Sequence, residues 1–415
     1  MISAPASPAS LRPSDSPSED SARKLLAEYR PGWSLPQRFY TDPEIFARDV
    51  ERIFMREWLL IDHASRIPRP GDYFLFEIAG ESIIVVRGKD GQVNAFFNVC
   101  RHRGSRVCIE PSGSAPALVC PYHAWSYGLD GKLLSARAMP KDFAPADHAL
   151  RRCGVRLVED LIFICLAENP PPIEPQFQTW ERFIRPHGLT RAKIAHRVVW
   201  KVKANWKLLV ENFLECYHCG PAHPEYCSVM LHTRPASGLA RDAEIYNALA
   251  RDWAERAKAQ GTFIARTTLD SEPYCMSDRV PIKENFLTQS RQGRPVAPLM
   301  GDFAAYDGGV TAGELEPLNF YIAPNDYFLV PRFTPLTVDT SEMEMIWLVR
   351  ADAVEGRDYR LEALIWLWKV TTDEDKTLIE ENQAGINSRS YQPGRLAEVE
   401  RSLMRFITHY TQAIA

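Results

Sequence analysis

The sequence predicts an α+β chain of two domains, a small and mostly antiparallel β domain followed by a larger one that mixes helices and strands. Three observations carry this. Residues 71–167 are dense in β-branched and aromatic residues and are punctuated by Gly80, Asp90-Gly91 and Asp130-Gly131. Four prolines within Glu168–Pro175, ENPPPIEP, make a stiff, extended boundary. Beyond it, apolar residues recur with a helical period over several long stretches.

The elements follow in order. Met1–Lys24 holds seven Ser, four Pro and no apolar run. It lacks the core of a signal peptide and the basic bias of a transit peptide, so the expectation is a disordered tail over 1–34 and a cytoplasmic location. Residues 37–60 read as a helix, with Asp42 as cap and Pro43 in the first turn. As a domain segment, this N-terminal helix is assigned to 35–55 and expected to pack on the second domain. The β domain spans 56–168, with LVEDLIFICLA (157–167) as one strand. The second domain, 169–415, offers a β segment at 194–203 and helices at 205–219 and 241–260. A Gly/Pro-rich stretch at 261–317 reads as a lid. Strands at 318–350 and helices at 359–386 and from about 395 complete the chain.

Composition excludes several classes. In 415 residues, 49 Lys and Arg stand against 53 Asp and Glu, a net charge of −4. That gives no basic excess for nucleic acid or an anionic membrane. The longest nearly apolar run, Leu161–Ala167, is too short to span a bilayer. Nine cysteines are too few, and odd in number, for a disulfide-built scaffold.

Two constellations carry chemistry. CRHRGSRVC (100–108) and CPYHAW (120–125) give Cys100, His102, Cys120 and His123, a pair of thiolates and a pair of imidazoles for a soft or borderline metal. Zinc fits this set, and so does a Rieske [2Fe-2S] cluster with two Cys on one iron and two His on the other. One Cys and one His per loop, placed between strands with Gly104, Pro121 and Gly128 in tight turns, favour the cluster.

The second constellation is in ANWKLLVENFLECYHCGPAHPEYC, from Ala204. His218 and His223 are five apart, which on one helix would make their rings diverge. A break at Gly220-Pro221 lets both aim at one point. A third ligand is available on the helix at 359–386. Leu361, Leu364, Trp368, Thr371, Asp375 and Ile379 share one face, and Asp375 is its only charge. Two His and one carboxylate form the facial triad of non-haem Fe(II) sites. Asp373 is the weaker candidate. Cys216 and Cys219 flank His218 and would suit zinc. Glu215, three residues before His218, can link two metal centres by hydrogen bonding, the bland alternative being a solvated glutamate. Asn212 is a candidate polar non-ligand near the iron.

These motifs, in this order, resemble the oxygenase component (α subunit) of the Rieske-type non-haem iron oxygenases, from about residue 35 to 412. The family's Asp ligand lies eight residues before a glutamine, here Gln383. The resemblance implies a catalytic domain built on a central antiparallel sheet flanked by helices, a [2Fe-2S] Rieske cluster and a mononuclear Fe(II). It makes Glu215 the bridge between the iron and the cluster of a neighbouring subunit in a homotrimer. It also implies O2, a small-molecule substrate and a separate flavin/iron–sulfur reductase fed by NAD(P)H. NWKLLVENFLECYHC, WLVRADAVEGRDY and EENQAGINSRSYQPG are similar to the members that demethylate glycine betaine and stachydrine. Oxidative N-demethylation of a betaine-like quaternary amine is therefore the expected reaction. The alternatives are aromatic ring hydroxylation or a simple Rieske electron carrier. This chain has Phe213-Leu214 where those demethylases have Asn-Arg, and Ala323-Pro324-Asn325 where they have a Trp-Asn-His turn. Phe320, Tyr321 and Trp347 are available for an aromatic cage, or for ordinary strand packing.

Overall fold

The computed structural model describes residues 19–415. They form two units, one of residues 54–172 and one joining 19–53 to 173–415. The disordered tail expected over 1–34 is corrected from residue 19 onward; its first 18 residues lie outside the described ones. Helix α1 (Glu19–Glu28) buries Leu25, Leu35 is equally buried, and Trp33 bridges to Arg395. Next come α2 (Arg38–Thr41) and α3 (Pro43–Asp49), with the Asp42 carboxylate accepting the Glu44 N–H. The helical path widens into a π-turn at Val50–Phe54 and stops there, short of residue 60. Trp58 onward is a strand because its backbone finds a partner about 100 residues later.

The unit of residues 54–172 holds ten short strands: β1 (Trp58–His63), β2 (Asp72–Ile78), β3 (Glu81–Arg87), β4 (Val93–Phe97), β5 (Ser112–Ser114), β6 (Leu118–Val119), β7 (Ser126–Tyr127), β8 (Leu133–Ser135), β9 (Gly154–Val158) and β10 (Leu161–Cys165). They make three antiparallel sheets, ordered β1-β10-β9, β4-β3-β2-β5 and β6-β7-β8. Central β3 is buried from Ser82 to Val86, hence its continuous apolar run. One strand was expected at 157–167, but Glu159 and Asp160 both take positive φ (49° and 65°) and fold the segment back as a hairpin.

The other unit continues with α4 (Glu174–Ile184), β11 (Ala192–Val202), α5 (Trp206–Phe213), α6 (Cys219–Ala222), α7 (Pro224–Val229) and α8 (Ala240–Ala259). Strands β12 (Arg266–Leu269), β13 (Cys275–Pro281), β14 (Gly309–Leu315), β15 (Asn319–Ala323), β16 (Phe328–Thr337) and β17 (Thr340–Arg350) precede α9 (Leu361–Ile386) and α10 (Arg401–Ala413). The seven strands pair antiparallel in the order β11-β17-β16-β15-β14-β13-β12. The lid expected over 261–317 is corrected: that stretch supplies β12, β13 and β14. Gly313 hides the strand pattern there. A Cβ on it would lie 2.0 Å from Cε1 of Tyr321, so glycine lets that ring lie across β14.

Helices α5 and α9 frame the site. Asn205 caps α5 by accepting the Lys207 N–H at 3.1 Å and donates its own N–H to Gln383 Oε1 on α9 at 2.9 Å. Beneath α5, buried Asp49 accepts from Trp206 Nε1 (2.9 Å), Lys207 Nζ (2.6 Å) and the Tyr410 hydroxyl (2.7 Å). Tyr40 donates to both carboxylate oxygens of Glu211, at 2.9 and 3.1 Å. The N-terminal helices, α5 and α10 are thus tied by two groups of buried polar contacts, one on Asp49 and one on Glu211.

Candidate metal centres

The two Cys/His loops close in the same way. The Cys100 N–H reaches Ser105 O at 2.8 Å and the Gly104 N–H reaches Cys100 O at 3.0 Å. In the second loop the Cys120 N–H reaches Trp125 O at 2.8 Å and the Ala124 N–H reaches Cys120 O at 3.0 Å. Gly104 (φ 77°) and Ala124 (φ 59°) occupy the same left-handed position. Both thiols are buried, the rings of His102 and His123 meet edge-on at 4.5 Å, and Trp125 stacks on His102 at 4.8 Å. The Tyr127 hydroxyl lies 3.3 Å from Cys100 Sγ and accepts the Arg101 N–H at 3.0 Å.

These residues fit an iron–sulfur cluster. His102 Nδ1 is buried with no hydrogen-bond partner, which suits a ring nitrogen that gives its lone pair to a metal. A single tetrahedral zinc would draw its ligand atoms to within about 4 Å of one another. Among the described residues only His218, His223 and Asp375 bring three ligand atoms within 4.8 Å. One Cys and one His from each of two matching loops suit a two-iron core.

The second centre assembles differently from the sequence expectation. The helix expected over 205–219 ends at Phe213, and residues 214–218 turn before α6. Gly220-Pro221 does not break a helix; it sits inside α6, whose single turn separates His218 from His223. The rings end 5.1 Å apart and nearly perpendicular. Asp375 Oδ1 on α9 lies 2.9 Å from His223 Nε2 and 3.4 Å from His218 Nε2. Cys216 and Cys219 are joined as a disulfide across His218 and offer zinc no thiolate. Asp373 turns away, accepting from Trp200 Nε1 and Lys369 Nζ, both at 2.7 Å.

The electrostatics of the three side chains favour a positive charge among them. Burial alone would lower the basicity of His218, but hydrogen bonds to Asp375 and Glu215 push it up to about 9. His223 is raised against the same burial by Asp375 and Glu374. Burial likewise opposes ionisation of Asp375, and the two imidazoles overcome it and hold the carboxyl below its usual range. A divalent metal supplies the positive charge this set otherwise draws from protons.

Four neighbours complete the site. Glu215 Oε1 sits 2.5 Å from His218 Nδ1, while Oε2 accepts the Tyr217 N–H, so one carboxylate fixes both ring and turn. Asn212 Nδ2 lies 3.3 Å from His218 Nε2. Glu374, which sequence reasoning missed, holds His223 Nδ1 at 2.7 Å. Its neighbour Asp375 drew attention as the charge on an apolar face, and Glu374 lies a hundred degrees off that face. Tyr226, also missed, donates toward His232 Nε2 at 3.1 Å; burial pushes His232 down to about 4 and keeps it a neutral acceptor.

A cavity of about 730 Å³ opens beside the three ligands. Phe213, Phe320 and Met276 line it. Of the expected aromatic cage, Phe320 and Tyr321 reach the wall, but the Tyr321 ring packs on Trp180 and Phe328 with its hydroxyl on Ser277. Trp347 does not line the cavity. Neither does the Ala323-Pro324-Asn325 turn; Asn325 is fully buried and its carbonyl accepts from Met300.

Comparison with known proteins agrees with this geometry. Residues 57–156 match the Rieske [2Fe-2S] domain and residues 189–415 the ring hydroxylating alpha subunit (catalytic domain). The chain is 35% identical over 404 residues to the glycine betaine monooxygenase oxygenase subunit of Pseudomonas aeruginosa, covering 95% of this chain and 92% of the relative. It is 37% identical over 209 residues to the carnitine monooxygenase oxygenase subunit of Escherichia coli, covering 49% of this chain and 55% of the relative. Among solved structures, a quaternary ammonium Rieske monooxygenase shares the fold with a TM-score of 0.72 at 24% identity, over 94% of this chain and 98% of the other. The chain belongs to the Rieske-type ring-hydroxylating oxygenases as an α subunit, in a family of O2-using oxidoreductases that carry a [2Fe-2S] cluster in the first domain and mononuclear iron in the second.

Proposed function

We propose that this oxygenase component removes a methyl group, by hydroxylation, from a betaine-like quaternary amine. The observation that carries the reading is full-length similarity to glycine betaine monooxygenase oxygenase subunits, together with an ECYHC segment whose Glu215 is bonded to His218. Cys100, His102, Cys120 and His123 would hold the cluster, and His218, His223 and Asp375 the iron. The two groups supply stored electrons and dioxygen activation.

The protein's own part is positioning. Glu215 and Glu374 hold the outer nitrogens of His218 and His223, leaving both Nε2 atoms toward Asp375. Glu215 borders exposed Tyr217, which supports a link to the cluster of a second subunit in a trimer. Phe213 and Phe320 give the cavity an apolar stretch of wall. The balance is R–N⁺(CH₃)₃ + O₂ + 2e⁻ + 2H⁺ giving R–N⁺(CH₃)₂CH₂OH + H₂O. The carbinolamine then releases formaldehyde and a proton, leaving the tertiary amine. The electrons require a separate NAD(P)H-dependent reductase, and a cytoplasmic location is consistent with that supply. No helix among the described residues is long and apolar enough to cross a membrane.

The test is formaldehyde release by the iron-loaded protein with a surrogate reductase, screened on glycine betaine, carnitine and aromatic acids. Formaldehyde in step with O2 uptake is expected from a quaternary amine. In Glu215→Gln both metal sites should fill, with coupled turnover nearly abolished. Ring-hydroxylated product from an aromatic acid, with no formaldehyde from any amine, would overturn the reading.

A further inference from the structure

The wall of the cavity beside the three ligands carries a buried carboxylate that the ligand set does not use. Glu314 is 5% exposed and lies on the cavity wall. On the sheet it sits between Met276 on β13 and Phe320 on β15, and all three line the cavity. A carboxylate in such a wall is costly unless it is paired. The pairing is incomplete. Arg405, on α10, donates to Glu314 Oε1 and also, at 3.2 Å, to Glu316 Oε1. His409 occupies Glu316 Oε2 at 2.5 Å. Arg405 is thus shared between two carboxylates, and no hydrogen bond is made to Glu314 Oε2 among the described residues. Burial pushes the Glu314 carboxyl up to about 7 even with Arg405 alongside, so its environment would gain from a further positive charge.

The neighbouring surface suits a bulky cation. Phe213, Phe320 and Phe333 form a three-ring cluster with centroids 4.8, 5.3 and 5.7 Å apart, and Phe213 and Phe320 belong to the cavity wall. A quaternary ammonium has no N–H to donate. It is recognised by aromatic faces and by a nearby carboxylate acting as a point charge. Three other carboxylates line the cavity but do not compete for this role; Asp375 is committed to His218 and His223. Glu215 is committed to His218, and Glu398 is exposed to solvent.

We propose that Glu314 is the residue that selects a cationic substrate, its carboxylate reading the quaternary nitrogen held against Phe213 and Phe320. This rests on the demethylase reading and assigns the specificity to a residue. It also places the recognition on β14, away from Ala323-Pro324-Asn325.

The experiment measures binding to the holoenzyme by calorimetry, with glycine betaine and with 3,3-dimethylbutyrate, which has the same shape but carbon in place of the charged nitrogen. Wild type should prefer the cation. Glu314→Gln should weaken glycine betaine about 10- to 100-fold, or about 1.4–2.8 kcal/mol, and leave the carbon isostere, which keeps only the carboxylate that both probes share, within about twofold. KM for formaldehyde release should rise with the dissociation constant. Glu316→Gln does not line the cavity, but it releases Arg405 to Glu314 alone, so it should weaken glycine betaine by less than Glu314→Gln does and leave the carbon isostere unchanged. If Glu314→Gln does not fold, Glu314→Asp keeps the charge but withdraws it, and should weaken only the cation. A variant that weakens both probes equally, or neither, overturns the assignment while the wild-type preference for the cation leaves the demethylase reading standing. A wild type without that preference overturns both.

Discussion

Replacing Glu374 should loosen the mononuclear metal without touching the cluster. Its carboxylate accepts from His223 Nδ1 at 2.7 Å, and His223 is 1% exposed, so no water can easily take over the bond. That bond fixes the tautomer in which Nε2 is bare and directed at Asp375, 2.9 Å away. A hydrogen bond to a charged group contributes about 1.5–3 kcal/mol, a neutral one about 0.5–1.5. Glu374→Gln should therefore cost on the order of 1 kcal/mol of metal binding, roughly fivefold in affinity, and Glu374→Ala about 10- to 100-fold. The assay is anaerobic titration of the apo mononuclear site with Fe(II) or redox-stable Co(II) against a competing chelator. The visible spectrum of the cluster serves as an internal control. Wild-type affinity in Glu374→Ala would refute the reasoning, as would parallel loss of the cluster.

Two further outcomes concern the network under α5. Burial pushes the Glu211 carboxyl up to about 8, outweighing the Tyr40 hydrogen bond and the Lys207 charge, from 4.5 in an ordinary setting. The folded protein therefore holds a proton that the unfolded chain releases, and stability should fall as pH rises from about 4.5 to about 8, by at most about 1.4 kcal/mol per unit; chemical denaturation of Glu211→Gln across that window should show the slope flattened. Asp49→Asn should destabilise by about 3–5 kcal/mol in urea melts, because Lys207 would keep a fully buried charge with no counter-ion. Adding Lys207→Met should recover part of that loss.

Much of the site was legible because metal ligation imposes local spacing. Cys100-x-His102 and Cys120-x-x-His123 stand in loops whose backbones repeat each other, and Asp375 was the lone charge on an apolar helical face. What escaped depended on partners distant in sequence. Strands β12 to β14 looked like a lid because glycine and proline are frequent between residues 261 and 317, and in β14 a glycine accommodating Tyr321 interrupts the alternation. The end of α5 at Phe213 was hidden by a helix-compatible run through Cys219. Glu374 was overlooked because a glutamate reaches around a helix, so face-sorting by Cβ position misplaces its carboxylate. The turn at 323–325, where this chain departs from similar demethylases, instead holds Met300 through its Asn325 carbonyl, and the wall of the cavity is set by Phe213 and the residues of β13 to β15.

His223 and Asp375 are 152 residues apart in the chain. A metal held by both is a crosslink closing more than half of the second unit into one loop, with six of the seven strands of the sheet, β12 to β17, inside it. Loop-closure entropy of that size is several kcal/mol and grows only slowly with length. Metal binding and the alignment of α9 along α5 are then one cooperative event. The turn at residues 214–223, which has little regular structure of its own, borrows its order from a helix that is synthesised long after it.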